Sequence, residues 1–268
     1  MDIPERISVS QARVWNACRL QWRWRYVDRL DGAKPPGLAY GAALHTALAV
    51  GYDGIRMRVA SAAGIRQLAL EALAIAWEEE AVPWSEDYPA AIEIIERQFR
   101  DEVVAAHVAN GDIVAVEQRL VVPLSGWSSD GVHVEAKVSV VIDLVLARPD
   151  GVEIRDHKLG APRSAGGDRQ LGVYAAAWTQ ERGDRVPLVS LSFPTGGEVD
   201  VRELEDGWRD EAVRWLLTAR DEIDTEAVKG DLAPSPTPGT CARCEFTARC
   251  PAAVVADRVR AVEWESQP

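Results

Sequence analysis

Cysteine is scarce in this chain, with four copies in 268 residues at positions 18, 241, 244 and 250. So few thiols exclude a small disulfide-stapled scaffold. No apolar run approaches the roughly 20 residues that span a bilayer, so no membrane segment is expected. Met1-Asp2-Ile3-Pro4-Glu5 has neither the basic start nor the apolar stretch of a secretory signal, so a cytoplasmic setting with reduced thiols is expected. A Gly-x-x-x-x-Gly-Lys-Ser/Thr loop is missing, which excludes a phosphate-loop motor within the chain. Internal repeats and long low-complexity stretches are absent as well. Basic charge is also short: 30 Lys and Arg stand against 42 Asp and Glu, a net charge of -12. That sum argues against a nucleic-acid partner, but its distribution is uneven. Residues 1–30 carry Arg6, Arg13, Arg19, Arg23, Arg25 and Arg29 against Asp2, Glu5 and Asp28.

What is present is ordinary globular composition, 47% hydrophobic and 27% charged, enough for one elaborated domain over 1–268. Ser8 and Ser10 precede a stretch free of Gly and Pro, predicting a capped first helix from about residue 9 or 11 to 27 that carries Cys18. Residues 31–37 read as a loop and 38–50 as a second helix carrying His45. Helical spacing over 60–81 and 89–109, with a turn around 83–87, predicts a helical insertion spanning 46–110. From Ile113 the chain becomes rich in Val and Ile, predicting strands over 113–124, 132–147 and 152–156. A helix over 168–180, strands over 186–193 and 199–204, and a long helix over 205–228 follow. Residues 232–240 hold Pro234, Pro236 and Pro238 and read as a stiff, non-helical connector opening a C-terminal cysteine segment, 232–268. The mixture predicts an α/β class.

The chemistry-bearing segment is Val140-Val141-Ile142-Asp143, followed by Val152-Glu153-Ile154-Arg155-Asp156-His157-Lys158. Two acids ending neighbouring apolar strands can converge on a hard cation such as Mg2+ or Mn2+. Strand alternation puts Asp156 and Lys158 on one face and turns His157 away. Such an ammonium can orient an attacking water or stabilise developing charge while the cation polarises a phosphate. Alone, Asp-x-Lys is an ordinary solvated turn, and His45 alone is an ordinary helix histidine. Glu117, in an upstream strand, reads as a solvated carboxylate, with a further acidic group near the cation as the alternative.

The order His45, Asp143, Asp156-His157-Lys158, Gln170-x-x-x-Tyr174 resembles the RecB-like branch of the PD-(D/E)XK nucleases. The resemblance implies a restriction-endonuclease-like central mixed sheet flanked by helices. It implies His45, Asp143 and Asp156 as metal ligands together with the backbone carbonyl of His157, Asp143, Asp156 and Lys158 as the catalytic group, and Gln170 and Tyr174 as positioning the DNA strand. Val140 departs from the glycine that many relatives carry three residues before the first aspartate.

Cys241-x-x-Cys244 with Cys250 and the distant Cys18 makes a four-thiolate set, which suits either tetrahedral zinc or an iron-sulfur cluster; spacing does not separate them. The pattern is similar to the clasp of AddB-type and CRISPR-associated RecB-like exonucleases, which implies a 4Fe-4S cluster joining the N- and C-terminal segments. Arg19 stands where a proline commonly follows the first cysteine. Trp15, Trp22, Trp24 and Tyr26 interleave with arginines in the first helix, which reads equally as a base-stacking surface or as a core helix with snorkelling arginines. The resemblance implies a metal-dependent DNA exonuclease acting on single strands or DNA ends in recombination, repair or CRISPR adaptation. A helicase or adaptation protein would be its partner. A non-catalytic DNA-binding or assembly subunit with a structural iron-sulfur or zinc site is the alternative.

Overall fold

The structure, a computed structural model, describes residues 2–32, 36–59, 61–83, 87–229, 232–242 and 244–253. Parts of the expected loop over 31–37, the turn at 83–87 and the end of the cysteine segment, 254–268, lie outside the described residues. The elements run β1 (Arg6–Ile7), α1 (Val9–Ala17), α2 (Arg19–Tyr26), α3 (Pro36–Met57), α4 (Ala62–Glu79), α5 (Asp87–Gln98) and α6 (Asp101–Asn110). They continue as β2 (Ile113–Trp127), β3 (His133–Arg148), β4 (Gly151–His157), α7 (Arg169–Arg182), β5 (Leu188–Phe193), β6 (Glu198–Glu203), α8 (Asp206–Glu226) and α9 (Pro238–Cys241). Strand order is β1-β3-β4-β5-β6, with β2 also pairing β3. Among the described residues no helix is long and apolar enough to cross a membrane.

The chain forms two compact units: 1–35 with 125–137 and 214–268, and 36–124 with 138–213. In the first, the Ser8 side chain accepts from Gln11 N and caps α1, as the sequence predicts. The helix expected to run on to residue 27 breaks at Cys18, which is extended at φ -164°, ψ 114°. Trp15 and Trp22 lie on either side of the break, fully buried and edge to face at 5.2 Å. Trp15 Nε1 donates to Glu222, which also receives Arg19 at 2.8 Å. Arg23 pairs with Asp28 and Arg25 with Glu245, while Trp24 packs edge-on against Phe246. The core-helix reading therefore holds for Trp15 and Trp22, which are inside, and these three arginines are matched by acids, while Trp24 and Tyr26 are half-buried. The connector also departs from expectation at its end. Thr237 caps α9 and Pro238 occupies its first turn, where a missing N–H costs nothing.

In the second unit α3 and α4 pack through Ala43, Leu44, Ala47, Leu48, Ile65, Ala69 and Leu73, with Leu144 and Leu146 of β3 in the same core. The single helix expected over 89–109 is two, α5 and α6. Between them Phe99 is fully buried against Tyr52 at 5.3 Å, and Arg100 is extended. Anchoring that ring turns the chain where composition alone permits a continuous helix. The β3–β4 ladder is antiparallel and β4–β5 parallel, giving the expected mixed sheet. Leu144 lies opposite Arg155 and Leu146 opposite Glu153, so one sheet face meets α3–α6. The other carries Val145, Ile154 and Asp156, and there Gln170 of α7 reaches Asp156. Asp168 accepts from Gln170 N and Leu171 N to start α7.

Candidate active site

Continuing the β3–β4 register one step past Leu144 and Arg155 brings Asp143 opposite Asp156, both on the face under α7. Both carboxylates are nearly inaccessible, at 9% and 2%. Asp143 accepts from His157 N at 2.7 Å and lies 3.5 Å from His45 Nδ1. Lys158 Nζ sits 2.6 Å from Asp156 Oδ2, as the alternation of β4 predicts. Lys158 N donates to Ser192 O, which carries the β4–β5 pairing past His157. On the opposite face of β4, Glu153 receives Arg148, Arg155 and Ser190. Burial alone would raise its pKa, but these partners, Arg155 foremost, hold it below the usual value, so the back of the strand is pinned by a satisfied charge.

Gln170 ties the site to α7. Its amide nitrogen donates to Asp156 Oδ1 at 2.6 Å and to Tyr174 Oη at 2.8 Å, while its oxygen accepts from Lys158 at 3.2 Å. His157 points away, as expected. Its ring is fully buried and stacks on Tyr52 at 5.6 Å and 9°, and neither ring nitrogen has a hydrogen-bond partner among the described residues. Burial holds its pKa well below the ordinary value, so the imidazole is neutral. Its backbone is what meets the site, through the bond to Asp143 and a hydrogen bond with His45.

Of the two readings of Glu117, the solvated strand carboxylate gives way to the acid beside the candidate cation ligands. His45, Glu117 and Asp143 each offer a ligand atom, all within 4.8 Å of one another. Glu117 is half-buried and has φ +45°, a left-handed conformation that a non-glycine residue adopts at a cost. Nothing in its sequence neighbourhood signals that backbone.

Electrostatics single out the same residues. Burial raises the pKa of Asp143 well above the ordinary carboxylate value, and the charge of Asp156 adds to the rise. Asp156 is raised by burial despite Lys158, and Glu117 by burial despite Arg119. His45 is lowered, again chiefly by burial, which keeps a nitrogen lone pair available. Buried carboxylates that ionise unfavourably beside a neutral imidazole are a donor set that a divalent cation satisfies. The residues present fit such an ion.

The four cysteines are free thiols and line one cavity of the first unit with Pro234 and Pro236. Cys18 Sγ accepts from Ser235 N at 3.4 Å. No three of the thiols lie within 4.8 Å of one another. Burial raises the pKa of Cys244, and Glu245, Cys18 and Cys250 add to it.

Comparison with known proteins bears on the whole chain. No curated protein matches it. The crystal structure of SSO0001 is similar over 94% of this chain and 89% of that one, at 12% identity and a TM-score of 0.40, a likeness too low to argue from. The family model described as the PD-(D/E)XK nuclease superfamily matches residues 6–251, a span that holds both strand acids, the lysine between β4 and α7, and the histidine of α3. This chain belongs to the PD-(D/E)XK nuclease superfamily, whose members are metal-dependent nucleases.

Proposed function

We propose that this protein is a DNA exonuclease of the RecB-like branch, using Mg2+ or Mn2+ and carrying a 4Fe-4S cluster. The observation that carries the reading is the meeting of His45, Glu117 and Asp143 next to the Asp156–Lys158 pair. His45, Asp143, Asp156 and the backbone carbonyl of His157 would hold the cation, with Glu117 as a further acid. When bound, the cation supplies Lewis acidity toward a phosphate oxygen and an acidified water. Lys158 keeps a positive charge beside the reacting phosphate and offsets the charge that develops there. Gln170 fixes the rotamers of Asp156 and Lys158 through its two ends, and Tyr174 braces Gln170. In this reading Gln170 and Tyr174 bear on the DNA strand through the groups they orient.

For the cysteines, Cys18, Cys241, Cys244 and Cys250 line one cavity and would be the thiolate ligands of the cluster. The cluster would join residue 18 to residues 241–250 and act as structure. Since β2 and β3 each run through both units, we take the two units as one nuclease domain. Its substrate would be single-stranded DNA or DNA ends in recombination, repair or CRISPR adaptation, with any unwinding supplied by a helicase partner.

The test is anaerobic purification with a visible spectrum, then Mg2+ and Mn2+ digestion of end-labelled single-stranded DNA beside Asp156→Ala. A brown protein that shortens DNA from its ends, with no cleavage by the variant, is the expected result. A folded, metal-replete and inactive wild type would instead make the chain a non-catalytic subunit.

A further inference from the structure

The hydrolytic reading leaves unused a groove of about 430 Å³ in the second unit, lined by Val50, Asp53, Met57, Val59, Leu68 and Glu117 among others. Two of its walls continue from the metal group. Glu117 belongs to both. On α3, His45 is followed one turn on by Ala49 and two turns on by Asp53, both of which line the groove. Val50, Asp53, Gly54 and Met57 fall at the i, i+3, i+4 and i+7 spacing of one helical face. The groove is largely apolar yet open to solvent: Met57 is 60% exposed, Val59 56%, and Val50 and Leu68 38% each. Val50 and Met57 of α3, Leu68 of α4 and Val59 between the two helices meet there outside the core that the helices build.

The charges decide what fits. Among the described residues no lysine or arginine lines the groove, and its two carboxylates are Asp53, which pairs with Arg56, and Glu117. The lining offers a phosphate no cation, and what fits is a neutral group with apolar faces and a polar edge, held within reach of His45, Glu117 and Asp143. A nucleobase has that form. Stacking on side chains is tolerant of sequence because every base presents such faces.

We propose that this groove is a subsite for one nucleobase of the DNA strand, that of the nucleotide adjoining the scissile phosphate. Val50, Met57, Val59 and Leu68 contact its faces, and seating it turns the backbone so that the neighbouring phosphate lies over His45, Glu117 and Asp143. The proposal rests on the nuclease reading of that site and adds where the base goes.

The full chain is given single-stranded oligonucleotides in which one abasic residue is walked through the first positions from each end. Cleavage is measured as kcat/KM with Mn2+, and binding is measured with Ca2+ on the same oligonucleotides. At one position, base removal should lower both by about tenfold, the scale of one stacked base, with little effect elsewhere. Leu68→Asp and Met57→Ala, both at solvent-open positions, should lower binding of intact DNA and leave the critical abasic DNA bound as by wild type. Cleavage that is indifferent to base removal at every position overturns the subsite and leaves the nuclease reading standing. A position-specific loss of binding without any cleavage removes the hydrolytic reading, and with it the placement beside a scissile phosphate, so the proposal falls and only a base-binding groove is left. Indifferent or absent DNA binding without cleavage removes both. If Leu68→Asp instead converts a dimer to a monomer with base discrimination intact, the groove is a contact between copies and the proposal falls.

Discussion

Asp143 has its carboxylate buried, with a second buried carboxylate facing it across the ladder and His45 beside it. Its folded-state pKa is raised, so its proton is bound more tightly in the native than in the unfolded chain. As pH climbs from the ordinary carboxylate range through that raised value, the metal-free fold loses stability. Asp143→Asn should therefore raise the melting temperature of the protein in EDTA at neutral pH by a few degrees and flatten its decline with pH. Mn2+ should stabilise the wild type and leave this variant almost unmoved; differential scanning fluorimetry checks each point. Lys158→Ala belongs to the same scale. The lysine is 27% exposed in its side chain and bonds only Asp156 and Gln170 among the described residues, so the fold should survive while cleavage falls by roughly 100-fold or more. Gel-resolved single-turnover digestion and circular dichroism separate the two effects. Among residues, Asp143, Asp156 and Lys158 were legible because strand alternation converts sequence spacing directly into a shared face. Glu117 was legible only as the lesser of two readings, because its membership depends on a left-handed backbone and on His45, 72 positions away in a helix.

At the scale of elements, α3 carries both the histidine of the site and the contact that ends α5. Gly51 faces the ring of Phe99 so closely that an added Cβ would fall 2.2–2.7 Å from its carbons. Gly51→Ala must push the ring aside and with it the turn between α5 and α6. Urea unfolding should report a loss of about 1–3 kcal/mol, the usual cost of overpacking a core, and Gly51→Ala/Phe99→Leu should recover part of it. The helices and strands themselves followed from periodicity, with ends displaced by a few residues. Both broken helices, at Cys18 and at Phe99–Arg100, escaped that pattern. Each break is set by side chains that lock in elsewhere: Trp15 and Trp22 around Cys18, and Tyr52 and Gly51 around Phe99. Helical composition on both sides of a break gives no local sign of it.

Over the whole molecule, one thiol from the start of the chain and three from its end share a cavity; the proposed cluster would close a loop of more than 200 residues there. Tying such distant points removes much freedom from the unfolded chain, and metal binding at a site formed only on folding adds to native stability. Cys244→Ala should therefore abolish the visible absorbance and lower the melting temperature and soluble yield, while the carboxylate site, which shares no residue with the cavity, retains cleavage in the surviving protein. A colourless variant as stable as the wild type would remove the clasp. The local basic excess of residues 1–30 also changes meaning at this scale. Arg19, Arg23 and Arg25 are answered by Glu222, Asp28 and Glu245, so that charge serves the fold of the first unit.

Sequence by itself determined the α/β class, the succession of most helices and strands, and the shared face of Asp156 and Lys158, because each depends on periodicity, spacing or residue type along a short stretch. Tertiary structure alone decided that Glu117 joins His45 and Asp143, that Gln170 spans Asp156 and Lys158, that Trp15 and Trp22 are core, and that an apolar groove opens beside His45, Glu117 and Asp143. These depend on where distant segments meet, and burial in that common space sets the energies of the charges they bring.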